Sequence, residues 1–449
     1  MTDQQKKIVI IGGGIIGSTT AYFLTRHPKF NPALHSVILL EATAIAAGAS
    51  GKAGGLLALW AYPRSLVPLS YRLHRELAAE HNGAERWGYR KVGCGTIVAD
   101  VKKKKKKNLS PKIPKAGGEP GKENGTTNGQ SALPIQSSLP DGDSKDWEKL
   151  PKQDKDASEL LEKSVLPSDL NWIDESVVED WSEMGQPGST ETAQVHPFHF
   201  TTTIANLAKE KGVDIRIGAK VTKLNHTKTD IQSVEYLDRS TGETQIIDNV
   251  TDVVVAAGPW TGRVLPRTKV EGLRAHSVVY DADVTPYAVF TDIALPSDYV
   301  PEHRARKSQK RKHKGNVDPE VYARPFGEVY ACGEPDSTVP LPETADLVQT
   351  DEDQCDDLVA YMGTVSPVLA EAPIKTKQAC YLPRHMRFGQ ERDPIVGQTS
   401  VSGLWVASGH TCWGIQNGPA TGCLVAEMIL DGRATSADIE GLDPKKFKV

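Results

Sequence analysis

Apolar residues recur in this chain as continuous runs, at helical spacing and in alternation, and each pattern predicts an element. Lys6–Gly17 reads KKIVIIGGGIIG, a β-branched run broken by three adjacent glycines and a fourth glycine three residues later. That is a buried strand turning into a helix, predicted over Ile15–Arg26, with a second strand over Ser36–Glu41. A helix-like stretch follows at Tyr71–His81 and a strand at Gly93–Asp100. The pattern then lapses over Lys102–Ala157. It resumes near Leu166 and gives an amphipathic helix over Phe198–Lys211, stopped by Gly212, with strands around Ile215 and Val221. An apolar strand is predicted over Asp252–Ala256, alternating strands over Gly272–Phe290, and further strands in Tyr322–Asp336. Leu404–Gly432 closes the series as strand, glycine-rich turn and long apolar helix, with Gly418, Pro419, Ala420, Thr421 and Gly422 at the start of the helix. Pro419 suits a first helical turn, where its missing N–H would be unpaired anyway.

Composition adds limits. A chain of 449 residues exceeds one typical core, so two domains with insertions are expected. The net charge of −4 argues against general nucleic-acid binding. Six cysteines without a C-x-x-C pair read as reduced thiols. The polar start, MTDQQKK, leaves no room for a cleavable signal, and no apolar run reaches the ~20 residues of a membrane span. A soluble, intracellular protein is therefore expected. Lys102–Ala157, with six consecutive lysines and repeated Pro, Gly, Asn and Ser, reads as a disordered insertion. Arg304–Lys314, with seven Lys or Arg in eleven residues, reads as a solvated basic loop. The two basic runs together could form a patch for an anionic membrane or a partner.

The first glycines point to chemistry. Gly12 allows a sharp turn, Gly14 leaves room for a pyrophosphate, and Gly17 lets the helix lie against the strand. The helix then directs free N–H groups and its positive dipole end at the phosphates. Glu41 ends the second strand 24 residues after Gly17, near the ~20-residue spacing that brings a carboxylate onto a ribose 2′-OH. An acid there disfavours a 2′-phosphate. The loop Ala42–Ala58 (ATAIAAGASGKAGGLLA) is nearly bare of large side chains, which suits a backbone pressed against a planar ring system.

GGGIIG, then Glu41-Ala42, then AGASGKAGG resemble the D-amino acid oxidase superfamily of FAD-dependent oxidoreductases, and the likeness runs nearly end to end outside the two insertions. The resemblance implies an α/β architecture: a Rossmann-like FAD-binding domain of glutathione-reductase type with a second, mixed or antiparallel β-sheet substrate domain. The FAD-binding parts fall at 1–75, 190–270 and 376–449, and the substrate parts at 76–189 and 271–375, interrupted by insertions at 102–157 and 302–316. It places Ile15 and Ile16 beside the pyrophosphate and Ala49, Ser50, Gly51, Lys52, Ala53, Gly54 and Gly55 around the flavin. It gives the Val221 backbone to adenine, and it matches Ala257, Gly258 and Trp260 to a Gly-x-Trp-Ser/Thr segment. Gly409, His410, Gly414, Ile415 and Gln416 match a turn that serves the flavin edge, and YARPFGEVYACGEPD matches a hairpin under the flavin.

The implied reaction is hydride transfer from the carbon beside an amine to flavin N5, on an amine or amino-acid-like small molecule. Amino acid oxidases of the family carry an arginine in Gly-Leu-Arg-Pro, and the matching residues here are Cys380, Tyr381, Leu382 and Pro383. The arginine is replaced by leucine, so Arg324 or Arg384 is left as the candidate cation for a substrate carboxylate, while Lys52 is a catalytic candidate beside the flavin, where family members often carry Arg or His. In sarcosine oxidase relatives a cysteine at the position of Cys380 links covalently to the flavin; a buried inert thiol is the alternative. Longer segments such as SGHTCWGIQNGPATG resemble a fungal group named topoisomerase I damage affected, associated with cytoplasm, late endosome and endosome-to-Golgi transport. That group implies peripheral contact with endosomal membrane or sorting proteins. It leaves two alternatives open: a dehydrogenase passing electrons elsewhere than to oxygen, and a sorting protein that keeps FAD as a structural ligand.

Overall fold

The computed structural model describes residues 5–103, 162–164, 166–185 and 190–449. The insertion expected over Lys102–Ala157 lies, from residue 104 on, outside them. Lys6–Ile11 forms the middle of a six-stranded sheet, with His35–Glu41 and Asp252–Val255 parallel on either side. Its neighbours are extended by Asp214–Ile217 at one edge and by Leu404–Ser408 and Ile395–Gln398 at the other. Alternation along the first strand decides what covers the sheet. Ile8 and Ile10 face a core shared with helices Ile15–Arg26, Pro197–Glu210 and Gly414–Asp431, whereas Val9 and Ile11 face a small antiparallel sheet that includes Ala219–His226. Burial on both faces explains why this strand is an unbroken apolar run. Five parallel strands bring their C-terminal ends to one edge, where ligands bind in such folds.

The second layer is a nine-stranded, mainly antiparallel sheet. At its centre Val270–Asp281, Glu328–Asp336, Glu320–Arg324 and Tyr287–Ala294 lie side by side. One face carries Val278, Tyr280, Val321 and Val329 against helix Glu352–Val365, and the opposite face carries Ala275, Phe290, Tyr322 and Tyr330. Two expected boundaries differ. Ile374–Arg387 pairs with Val270–Asp281 in the nine-stranded sheet, although 376–449 was expected with the nucleotide layer. Helices Val67–Glu80 and Gly83–Trp87 put Leu77 and Trp87 into the first core, although 76–189 was expected with the second layer.

The basic run is largely exposed, as expected, but part of it is anchored on the fold. Glu302–Arg306 is helical, and Arg304 Nε donates to the buried Asp357 carboxylate at 2.6 Å. Lys312 pairs with Glu334 at 2.7 Å, Lys307 pairs with Asp353, and buried His313 lies between Tyr361 and Glu334. The segment is folded onto helix Glu352–Val365 because its acids lie there and on the adjacent strand. No helix among the described residues is long and apolar enough to cross a membrane.

Candidate active site

A cavity of about 520 Å³ runs from the C-terminal edge of the six-stranded sheet to the inner face of the nine-stranded one. Its first wall is the turn after Ile11. Gly12 has φ +110°, a left-handed conformation that glycine accepts without strain, and its N–H donates to the Leu40 carbonyl at 2.8 Å. A Cβ on Gly12 would press on the Ala256 carbonyl. Gly14, Ile15 and Ile16 line the cavity, and the Ile15 N–H donates to Ser50 Oγ at 2.9 Å. Gly17 does not line it and instead packs on the Gly12 carbonyl, holding helix against strand. Glu41 also reaches the cavity. One of its oxygens accepts from Gly13 N at 2.7 Å and the other from Thr43 N at 2.8 Å, which fixes the carboxylate at the strand end.

Ala42, Ala49, Ser50, Lys52, Ala53, Gly54 and Gly55 form the next stretch of wall, while Gly51 turns away against the Ala46 carbonyl. Lys52 Nζ donates to the Ala379 carbonyl at 3.0 Å, one residue from Cys380. Val221, Ala257, Gly258 and Trp260 line the end near the small sheet, and Trp260 Nε1 donates to the Pro342 carbonyl at 2.7 Å. From the last turn His410, Gly414 and Ile415 line the cavity. Gly409 and Gln416 do not. Gly409 is pressed against His385, and Gln416 Oε1 accepts the Ala58 N–H at 2.8 Å. Burial lowers the pKa of His410 to about 3, so its ring is neutral, and Nε2 meets the Thr421 hydroxyl at 2.9 Å.

The structure corrects the reading of Arg324 as a substrate-facing cation. Arg324 does not line the cavity; its guanidinium bonds Glu328, the residue directly across the hairpin, and lies 2.9 Å from His196 Nε2. Burial raises the Glu328 pKa, but His196, Arg324 and Lys375 together hold it well below the usual carboxylate range. Arg384 is also outside the lining, and Leu382 and Pro383 are inside it. Cys380 is a wall residue, and burial pushes its thiol up to about 11 against the opposing charge of Lys52. A neutral thiol lacks the nucleophilicity that a covalent link would require.

The remaining wall comes from the nine-stranded sheet. Phe290, Glu320, Tyr322, Tyr330 and Cys332 project into the cavity there, joined by Cys412 and Trp413 from the last turn. Tyr322, Tyr330 and Cys332 belong to the hairpin expected under the flavin and Cys412 and Trp413 to the expected flavin-edge turn, but none was named individually, and Phe290 and Glu320 were not assigned to the site at all. The available signal was the alternation in EVYAR and EVYACGEPD, which puts Glu320 and Tyr322 on one face and Tyr330 and Cys332 on the same face across the hairpin. Gly54 ties the two layers together, since a Cβ there would come within 2.6 Å of the Tyr322 ring.

With that geometry in place, residues 7–428 match the DAO family, described as FAD dependent oxidoreductase. The chain belongs to this family. Saccharomyces cerevisiae TDA3, a protein carrying the name oxidoreductase without a stated substrate, is 36% identical over 99% of this chain and 95% of its own length. Among solved structures, L-proline dehydrogenase from P. horikoshii superposes with a TM-score of 0.63 at 17% identity, covering 99% and 98% of the two chains. Glycine oxidase from Bacillus cereus gives 0.59 at 18% identity, covering 96% and 99%. The chain is an FAD-dependent oxidoreductase by family, with the DAO-type fold and mixed α/β sheets.

Proposed function

We propose that this protein oxidises the C–N bond of an amine or amino-acid-like small molecule in the cavity between its two sheets. The observation that carries the reading is the joining, in one cavity, of three glycine-rich turns from the nucleotide layer to an aromatic wall on the second sheet. The residues present suit FAD: the turn at Gly12 tolerates no side chain, and Gly14 and the start of helix Ile15–Arg26 open onto the cavity. Gly14, Ile15 and Ser50 would hold the pyrophosphate, Glu41 the ribose, and the Val221 backbone the adenine. Ala49–Gly55 without Gly51, together with Ala257, Gly258, Trp260, His410, Gly414 and Ile415, would enclose the rest. When bound, FAD supplies a two-electron acceptor for the hydride on the carbon beside nitrogen. The chain's own part is to orient that C–H bond and exclude water. The names of the solved relatives, a glycine oxidase and an L-proline dehydrogenase, support a C–N substrate.

Anaerobic mixing of the purified protein with pools of primary, secondary and tertiary amines and of amino acids tests this. Bleaching of the flavin absorbance by at least one amine or amino acid is expected. Absence of bleaching across all pools, with FAD present, would overturn the reading. Peroxide release in air then separates an oxidase from a dehydrogenase. A role in late endosome to Golgi transport, with endosomal or sorting contacts through basic segments, rests on the resemblance to the fungal group alone. The ion pairs of Arg304, Lys307 and Lys312 count against the membrane patch, because they direct that charge to acids of the same chain.

A further inference from the structure

The second-sheet end of the cavity carries a pattern that differs from amino acid recognition. Glu320 is 4% exposed and lines the cavity. Its direct neighbours across the sheet are Phe290 on one side and Cys332 on the other, and the adjacent row pairs Tyr322 with Tyr330. Tyr322 donates its hydroxyl to Glu320 Oε2, and the Cys332 thiol lies 3.7 Å from the same oxygen. Burial, then the Glu320 charge, raises the Tyr322 pKa well above its ordinary value, so the phenol remains a neutral donor. The rings around this carboxylate are close-set: Phe290 and Tyr322 have centroids 6.1 Å apart at 87°, and Tyr322 and Tyr330 5.9 Å apart at 42°.

A carboxylate walled by aromatic faces attracts an organic cation twice, by charge and by the negative ring faces. A metal ion would need more ligands, and no group of three or more His, Cys, Asp or Glu that could hold one occurs among the described residues. The cations in and beside the cavity wall each have a partner within the chain, Lys220 with Glu343 and Lys223 with Glu235 among them. Arg324 bonds Glu328, Leu382 stands where the oxidase pattern has arginine, and Lys52 Nζ donates to Ala379. Arg263, the one arginine among the described lining residues, donates to the Pro342 carbonyl at 2.9 Å.

We propose that the cavity takes its substrate as an ammonium cation, held by Glu320 within the rings of Phe290, Tyr322 and Tyr330, with no carboxylate required on that substrate, and that the ammonium proton passes to the Glu320 carboxylate so that the neutral amine gives up the hydride. This rests on the same cavity being the site of the FAD-dependent reaction. The substrate class is then alkyl or arylalkyl amines rather than free amino acids.

Two probes that differ in charge test the proposal on the FAD-loaded protein by calorimetry: benzyltrimethylammonium, which has no nitrogen lone pair and resists oxidation, and benzoate. Wild type is expected to bind the cation and not benzoate, and Glu320→Gln to lose at least about tenfold in affinity for the cation, with FAD content and Tm unchanged. Benzoate binding in place of the cation, or a folded Glu320→Gln protein with undiminished cation affinity, would overturn it. Should Glu320→Gln not fold, the wild-type pair of probes decides alone. The readout is separate from turnover: cation binding without amine bleaching would reject the proposed reaction and retain this inference, whereas bleaching by amino acids with benzoate binding would do the reverse.

Discussion

His74, His276 and His410 are buried, and burial pushes each well below the ordinary histidine value of ~6.5, to about 4, about 4 and about 3 respectively. Hydrogen bonds to the Ile415 and Gln416 carbonyls oppose the shift at His74, and the Arg274 charge adds to it at His276. The folded protein refuses protons that the unfolded chain accepts below ~6.5. Stability is therefore fully present above that pH and is lost as pH falls toward about 4, by on the order of 3 kcal/mol per histidine at the acid limit. Urea midpoints at pH 7 and pH 5 are expected to show the decline while ordinary carboxylates are still largely ionised. An unchanged midpoint over that interval would mean that these rings are protonated in the native state. At this scale the sequence spoke clearly where a residue type is nearly obligatory, as at Gly12. It was silent about Glu320 and gave Tyr322 only as part of a hairpin under the flavin, because an alternating strand does not say which of its faces meets a cavity and which a core.

Helix Gly414–Asp431 begins four residues before the Gly418 start read from sequence, which leaves Pro419 inside it. Proline cannot donate to the carbonyl four residues earlier, that of Ile415, and His74 Nε2 lies 2.9 Å from that oxygen instead. The replacement donor comes from Val67–Glu80, far along the chain, so proline chemistry favoured the first turn and nothing local contradicted it. His74→Leu is expected to cost about 1–3 kcal/mol by orphaning the carbonyl. In a Pro419→Ala background the helix supplies its own N–H, so the same substitution should cost less. Denaturation of the four proteins in that cycle checks it, and strictly additive losses would show that the histidine only fills space. The anchoring of the basic run, which stays largely exposed as expected, was not legible for a related reason. Asp353, Asp357 and Glu334, which take up its charge, are distant in sequence and become neighbours only through packing.

The whole molecule is two sheets meeting at one cavity, and its nucleotide half was the more legible in sequence. Strand, glycine turn, helix and terminal acid are contiguous there over Lys6–Glu41. The second sheet draws its strands from 93 to 392, so its register and its boundary at Ile374–Arg387 depend on long-range pairing. The assignment of FAD to the cavity is most directly tested by counting flavin per chain in purified wild type and in Gly14→Val. A Cβ at Gly14 would already stand 3.0 Å from Ser50 Oγ, and the valine methyls would add bulk beside the phosphate-binding turn. One FAD per wild-type chain is predicted, released to the supernatant by acid as expected for a neutral Cys380 thiol that forms no covalent link, with little or none in folded Gly14→Val. Colourless wild-type protein, or full FAD occupancy in the folded variant, would contradict the account.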